Sequence, residues 1–405
     1  MIGLMRLLDV VLAVAALPLL AASVYLGVLA VASRRQTSRH AAAPHPLLRL
    51  DVIVPAHNEA AGIDATVRSL LAVDYPRECF RVVVIADNCD DGTAAVAEAA
   101  GATVLVRNDP SARGKGYALD FAFRSCREHG ADAVVVVDAD SVVSRNLLSA
   151  IARRLSAGER ALQAHYGVRN PGASWRTRLL HIAFTAFHGV RSLGRERLGL
   201  SCGLRGNGMA FALDVLDAVP HRAFSIVEDL EYGIALGLAG IRVGYVGEAE
   251  VLGDMAAADA QSRPQRHRWE HGRALIARAY TRRLLSEAWH RRSPMLLDLA
   301  ADLLVPPFGR LVMASVALLT VCGAAAALGG PLPLSLAAGA AAFAASGVYV
   351  GRALVLSGSG ARVVVDLVWV PPYLLWKLAL PFLTHVGRSG GWVRTAREGR
   401  AVERR

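Results

Sequence analysis

Val10 to Ala32 runs for about 23 residues without one charged side chain. A helix rises about 1.5 Å per residue, so this run reaches across the ~30 Å hydrocarbon core of a bilayer. A secretory leader has a shorter apolar core, although the Ala21-Ala22-Ser23 stretch would suit a peptidase. The run is read as an uncleaved anchor, preceded by Arg6 and followed by Arg34, Arg35 and Arg39. Basic flanks stay on the cytoplasmic side, so the domain that follows is expected in the cytoplasm.

Composition fits a segregated chain. Hydrophobic residues make up 54% of the 405, yet 20% are charged, so the apolar side chains must be gathered into runs. They lie at both ends, with a mixed stretch between. The formal net charge of +11 would suit nucleic acid, an anionic membrane surface or an anionic substrate. The arginines cluster beside the apolar runs, again at Arg388, Arg394, Arg397 and Arg400. With no nucleic-acid motif present, membrane lipid is the expected partner and nucleic acid is not. Cys79, Cys89, Cys126, Cys202 and Cys322 are scattered without a CxxC pair, which argues against zinc or a disulfide framework. A reduced, cytosolic domain fits them best.

The middle of the chain alternates. Apolar runs at Val52–Val54, Val82–Ala86, Thr103–Val106 and Ala133–Val137 read as buried strands. Between them Ile63–Leu71, Thr93–Ala100 and Tyr117–Arg127 read as helices, the first ending ahead of Pro76. The pattern predicts an α/β domain with a mainly parallel sheet covered on both faces, whose ligands bind at the carboxyl ends of the strands. Beyond Pro294 the chain turns apolar again, with Leu311–Leu328 and Leu332–Val350 expected to span. Val363–Leu383 is apolar but carries Asp366, Lys377 and prolines, so it is read as a broken, interfacial or re-entrant segment. Three crossings follow, with the basic tail inside. The divisions are an anchor over 1–33, a basic linker over 34–49, the α/β domain over 50–293, membrane and interfacial helices over 294–386, and a tail over 387–405.

Polar clusters mark the strand ends. Pro55-Ala56-His57-Asn58-Glu59 ends the first strand, Asp87-Asn88-Cys89-Asp90-Asp91-Gly92 the second, and Asp138-Ala139-Asp140 the fourth. Glu228-Asp229 and Gln265-Arg266-His267-Arg268-Trp269 follow. Singly, these would pass for turn chemistry, a helix N-cap, a solvated pair and a membrane-surface anchor. Their order tells against that, since unrelated turns would not place carboxylates after successive strands. Carboxylates one residue apart suit Mg²⁺ or Mn²⁺ against a departing diphosphate, and a separate carboxylate suits deprotonation of a hydroxyl. Arginine and lysine neutralise phosphate, and a tryptophan face suits a sugar ring.

The ordered series resembles membrane-integrated glycosyltransferase family 2, with its D, DxD, (T/E)D and QxxRW motifs. That group includes cellulose, hyaluronan, chitin-oligosaccharide and poly-N-acetylglucosamine synthases and ceramide glucosyltransferase. The resemblance covers roughly Leu50 to Tyr280. It implies a GT-A-like nucleotide-sugar-binding fold. It also implies that Asp87 contacts the nucleoside, with Pro55, Ala56 and Glu59 lining base and ribose. Lys115 would face the donor diphosphate, Asp138 would help hold nucleotide and metal, and Asp140 would bind the metal. Asp229 would be the general base, supported by Glu228. Gln265, Arg268 and Trp269 would close the donor and acceptor sites. Cys202 to Met209 resembles a glycine-rich acceptor-side segment. Two departures stand out: Ala86 occupies a position where many relatives carry aspartate, and Val227 one where processive relatives carry threonine.

The resemblance further implies inverting, metal-dependent transfer from UDP-glucose or UDP-N-acetylglucosamine at a bacterial-type inner membrane, by a multi-pass protein. Polysaccharide synthesis is the leading expectation, and single transfer to a lipid acceptor is the alternative. With three crossings, a homo-oligomer or an export partner would have to complete any pore. A non-catalytic nucleotide-binding subunit is the remote alternative, opposed by the presence of Asp140, Asp229 and Arg268.

Overall fold

The Val/Ile runs form strands, three of them covered on both faces and Thr103–Arg107, at the sheet edge, partly exposed. In the computed structural model they are β1 (Leu50–Ala56), β2 (Phe80–Asp87), β3 (Thr103–Arg107) and β4 (Ala133–Val136). The structure describes residues 2–33, 47–255 and 259–360, with 365, 366 and 368; residue 2 and residues 259–268 are described by their backbone alone. Successive side chains of a strand point to opposite faces. Val52, Val54, Val82 and Val84 therefore face one core, while Ile53, Val83 and Ile85 face the other. Each such side chain, removed from water, contributes about 1.5–3 kcal/mol.

The chain begins with α1 (Ile2–Ala15) and α2 (Leu17–Ala32). The expected single run is thus two helices, bent by 45° where Pro18 removes an amide donor. Then α3 (Ile63–Leu71) joins β1 to β2, α4 (Thr93–Ala99) joins β2 to β3, and α5 (Lys115–Glu128) joins β3 to β4. The other elements of the domain are β5 (Ser141–Val143), α6 (Leu147–Ser156), β6 (Ala161–Val168), α7 (Trp175–Phe184) and a π-helical turn (Thr185–Val190). They continue with α8 (Arg191–Arg197), β7 (Met209–Ala212), α9 (Leu213–Ala218), α10 (Glu228–Leu238) and β8 (Val243–Gly253).

The eight strands lie in the order β3-β2-β1-β4-β7-β6-β8-β5. β1 to β4 are parallel, as their runs predict. The rest of the sheet is mixed and corrects the mainly parallel expectation. β7 is antiparallel to both β4 and β6, β6 is parallel to β8, and β5 is antiparallel to β8. A buried strand reads the same in either direction, so apolar pattern carries no sign of orientation.

Beyond the sheet lie α11 (Asp259–His290), α12 (Pro294–Leu304), α13 (Phe308–Ala327) and α14 (Pro333–Ser357). Among the described residues, α13 and α14 are long and apolar enough to cross a membrane, and the bent α1–α2 pair makes up to three. The segment Val363–Leu383 falls outside the described residues except at 365, 366 and 368, where Asp366 pairs with Arg178 at 2.5 Å. Across the bundle, Asp9 of α1 accepts hydrogen bonds from the amides of Leu334 (3.0 Å) and Ser335 (2.9 Å) and from the Ser335 hydroxyl (2.8 Å). A carboxylate from the first helix thereby satisfies donors that the first turn of α14 leaves open.

Candidate active site

The carboxyl ends of β1 and β2 are latched by their own polar loops. Asn58 and Asn88 take left-handed backbone (φ 55° and 50°), which their short side chains tolerate. Asn58 Oδ1 accepts from the Asp90 amide, and the Glu59 amide donates to the Thr93 hydroxyl. Pro55 and Ala56 close β1 beside them. Asp87 is 6% exposed and bound to Arg107 at 2.6 Å, while Asn88 Nδ2 donates to it at 3.0 Å. Arg107 also lies over the Tyr117 ring at 5.8 Å, and Tyr117 stacks on Phe224 at 4.4 Å. Asp87 therefore stands at the end of β2 within an Arg107–aromatic wall. Arg107 was not singled out from sequence; the available signal is a lone cation closing β3 at the same sheet end as the acidic clusters.

Lys115 opens α5 and reaches into the middle of the carboxylates. Its Nζ lies 2.5 Å from Asp138 Oδ1, 2.5 Å from the Gly206 carbonyl and 3.8 Å from Glu228 Oε1. The loop from Cys202 to Gly208 brings Gly206 here. Its φ of +79° is a conformation that suits glycine, and an added Cβ would stand 3.3 Å from Asp229 Oδ2. Asn207, fully buried, fixes the loop to the Asp138 turn: the Asp138 amide donates to its Oδ1 (3.0 Å) and its Nδ2 donates to Ser141 (2.8 Å). The structure thus joins Lys115, Asp138, Glu228 and Asp229, which are separated by up to 114 residues.

Negative charge is crowded there. Burial pushes Asp138 above the ordinary carboxylate range, with Lys115 opposing and Asp140 and Asp229 adding to the shift. Burial likewise raises Glu228, up to about 7, against the pull of Lys115. Asp229 is raised by burial too, despite the Leu230 amide, Lys115 and Arg205. For Lys115 burial acts against the charge, but Asp138 and Glu228 outweigh it and its pKa is raised.

Asp140 follows at the head of β5, where Ser141 Oγ contacts it at 3.3 Å. Among the described residues, no three His, Cys, Asp or Glu side chains are set to hold a metal unaided. The crowded carboxylates nevertheless fit a divalent cation of the Mg²⁺ or Mn²⁺ kind. Such ions take one or two carboxylates and complete their shell with phosphate and water. Asp138 and Asp140 are the chain's own candidates.

Gln265 and Arg268 lie in α11, with side chains outside the described residues. Trp269 follows, 40% exposed. One turn on, Gly272 packs so closely that a Cβ there would meet Val227 at 2.9 Å. The helix carrying these three residues is therefore docked beside the residue preceding Glu228-Asp229.

A parallel four-strand half, acidic loops at its carboxyl edge and a mixed second half define a GT-A-like nucleotide-sugar-binding domain. The chain belongs to the glycosyltransferase-like family 2, whose model matches residues 44–272. It is 29% identical over 238 residues to a β-monoglucosyldiacylglycerol synthase of Synechocystis sp., covering 56% of this chain and 48% of that protein. It is 29% identical over 221 residues to an N-acetylglucosaminyltransferase of Rhizobium meliloti, covering 51% of each. The chain thus spans about half the length of these curated relatives. Its fold is similar to a mannosyltransferase from Pyrobaculum calidifontis solved with GDP-mannose and Mn²⁺, at TM-score 0.53 and 19% identity, over 84% of this chain and 97% of that one.

Proposed function

We propose that this chain is an inverting, metal-dependent glycosyltransferase that passes one sugar from a UDP-sugar to a membrane lipid. The observation that carries the reading is Asp229 against Gly206, beside Lys115 and Asp138. A base and a diphosphate-neutralising cation stand together at one backbone turn. Asp229 takes the proton of the acceptor hydroxyl, whose oxygen bonds to the anomeric carbon as the bond to the diphosphate oxygen breaks. UDP leaves with that electron pair. One displacement converts an α-linked donor into a β-linked product. Lys115 offsets charge on the leaving diphosphate, and a divalent ion at Asp138 and Asp140, when bound, adds to that offset.

The lipid acceptor is supported by the likeness to the β-monoglucosyldiacylglycerol synthase and by the two or three helices of spanning length among the described residues. Among the described residues, two or three such helices do not by themselves enclose a polymer channel, and the likeness to a glycolipid synthase puts lipid ahead of polysaccharide as the proposed acceptor. The test is transfer by the full chain in vesicles, from labelled UDP-glucose and UDP-N-acetylglucosamine. Product that partitions into organic solvent as one species supports the reading. A ladder of water-soluble polymer would overturn it, and Asp229→Asn must abolish either product.

A further inference from the structure

Arg205 precedes Gly206 and is only 8% exposed. Its guanidinium donates to the Cys202 carbonyl at 3.0 Å and lies over the Phe187 ring at 4.4 Å. Its Nε has no hydrogen-bond partner, and among the described residues no carboxylate pairs with it. Around it are Arg191 and Arg195 of α8 and Arg273 of α11, sharing Asp298 and Asp302 of α12. Asp302 receives Arg191 (3.0 Å), Arg195 (2.8 Å) and Arg273 (3.2 Å), and Asp298 receives Arg195 (2.9 Å). Four guanidiniums thus meet two carboxylates. Burial, with Arg195 and Arg191 nearby and Asp302 and Cys202 opposing, pulls Arg205 below its ordinary pKa. An uncompensated buried cation is costly.

A neighbouring network shows what pairing without surplus looks like. Arg154 and Arg242 are matched one for one by Glu159 and Glu196. The surplus at Arg205 is confined to the cluster that faces the apolar helices. There Tyr25 of α2 accepts from Arg195 at 2.6 Å, and Tyr349 of α14 accepts from Arg191 at 3.0 Å. Phe187, ringed by Arg205, Arg191 (4.8 Å) and Arg273 (6.0 Å), belongs to the π-helical turn, a backbone form frequent at functional sites. Arg205 also favours the anionic form of Asp229, which places it within electrostatic reach of the base.

We propose that the acceptor lipid bears a phosphate, and that Arg205, with Arg191 and Arg273 about Phe187, receives it beside Asp229. The proposal rests on the glycosyltransferase reading and narrows its acceptor to an anionic head group. A neutral diacylglycerol would leave the surplus charge unmatched, whereas a phosphate oxygen gives the Arg205 Nε an acceptor.

The test uses the full chain in phosphatidylcholine vesicles with labelled phosphatidylglycerol or labelled diacylglycerol, and measures lipid affinity and UDP affinity in the same samples. Wild type is expected to prefer phosphatidylglycerol by about tenfold. Arg205→Gln should remove that preference, Arg205→Lys should keep most of it, and UDP affinity should stay within about twofold in both. The Arg205 dependence separates this site from general attraction to a basic chain. Equal affinity of wild type for the two lipids overturns the proposal without need of a variant. An unchanged preference in a folded Arg205→Gln protein overturns it equally. Glycerol 3-phosphate that displaces the lipid at matched concentration would show that the phosphate is not lipid-borne. Absence of UDP binding in wild type would sink the transferase reading, and the lipid arm would report on Arg205 independently.

Discussion

Around Lys115, three carboxylates crowd one ammonium; around Asp302, four guanidiniums crowd two carboxylates. The clusters meet at adjacent residues, Arg205 and Gly206. Both depart from the one-to-one matching of the Arg154–Glu196 network, and in opposite senses. Charge left over after internal pairing is what the two proposals turn on: a cation with nucleotide phosphate on one side, an anion on the other. The comparison can be broken at either end.

The largest effect is expected from Asp229→Asn, which removes proton acceptance and almost no volume. Transfer should fall on the order of a hundredfold or more while UDP binding survives. Normal turnover in that variant would remove the carboxylate cluster from the chemistry.

Next comes metal removal. EDTA, or Asp140→Asn, should lower transfer by on the order of tenfold or more, with Mn²⁺ restoring the wild type alone. Retained turnover of a metal-free sample would leave Lys115 as the sole counter-charge.

Gly206→Ala tests the junction itself. Positive φ strains alanine by roughly 1–2 kcal/mol, and the new methyl presses on Asp229. A fall in melting temperature together with about a tenfold loss of transfer is expected. Loss of stability alone would mean that Gly206 serves the fold and not the base.

A smaller effect concerns pH. Glu228, raised by burial to about 7, binds more protons in the folded chain than unfolded between its ordinary value and about 7. Its contribution to stability is therefore full below the ordinary range and lost as pH rises through about 7. Glu228→Gln should gain in melting temperature relative to wild type at pH 8 but not at pH 4. An equal gain at both pH values would mean that Glu228 is not raised in the folded chain.

The smallest is Trp269→Ala, expected to cut transfer about fivefold with little change in UDP affinity. Equal losses in both, or none, would make the half-exposed ring an anchor.

What the sequence revealed divides along the same lines as the sheet. Val52–Val54, Val82–Ala86 and Ala133–Val137 are buried on both faces and announce themselves as strands, so the acidic ends of β1, β2 and β4 were placed from residues alone. The mixed second half was not foreseen, because Met209–Ala212 is four residues long and carries no mark of direction. Asp138 was read at the end of a strand, while Lys115 and the role of Asp229 were expected from the family resemblance. Arg107 and Arg205 were not, since a single arginine has no spacing, and the partners that give each its meaning come from distant parts of the chain. Pro18 was visible, but its bend in the first apolar run was not foreseen.

The contact between Asp9 and Ser335 joins residues 326 positions apart. At about 5–20 residues per second of synthesis, roughly 15–65 s separate the emergence of the carboxylate from that of the amides it caps. During that interval an acid near one end of an apolar helix has no partner from α14. The strands of the sugar-binding domain are all synthesised first, and α14 can close on α1 only afterwards. A chain stopped before Pro333 would therefore leave Asp9 without the two amides and the hydroxyl that α14 gives it.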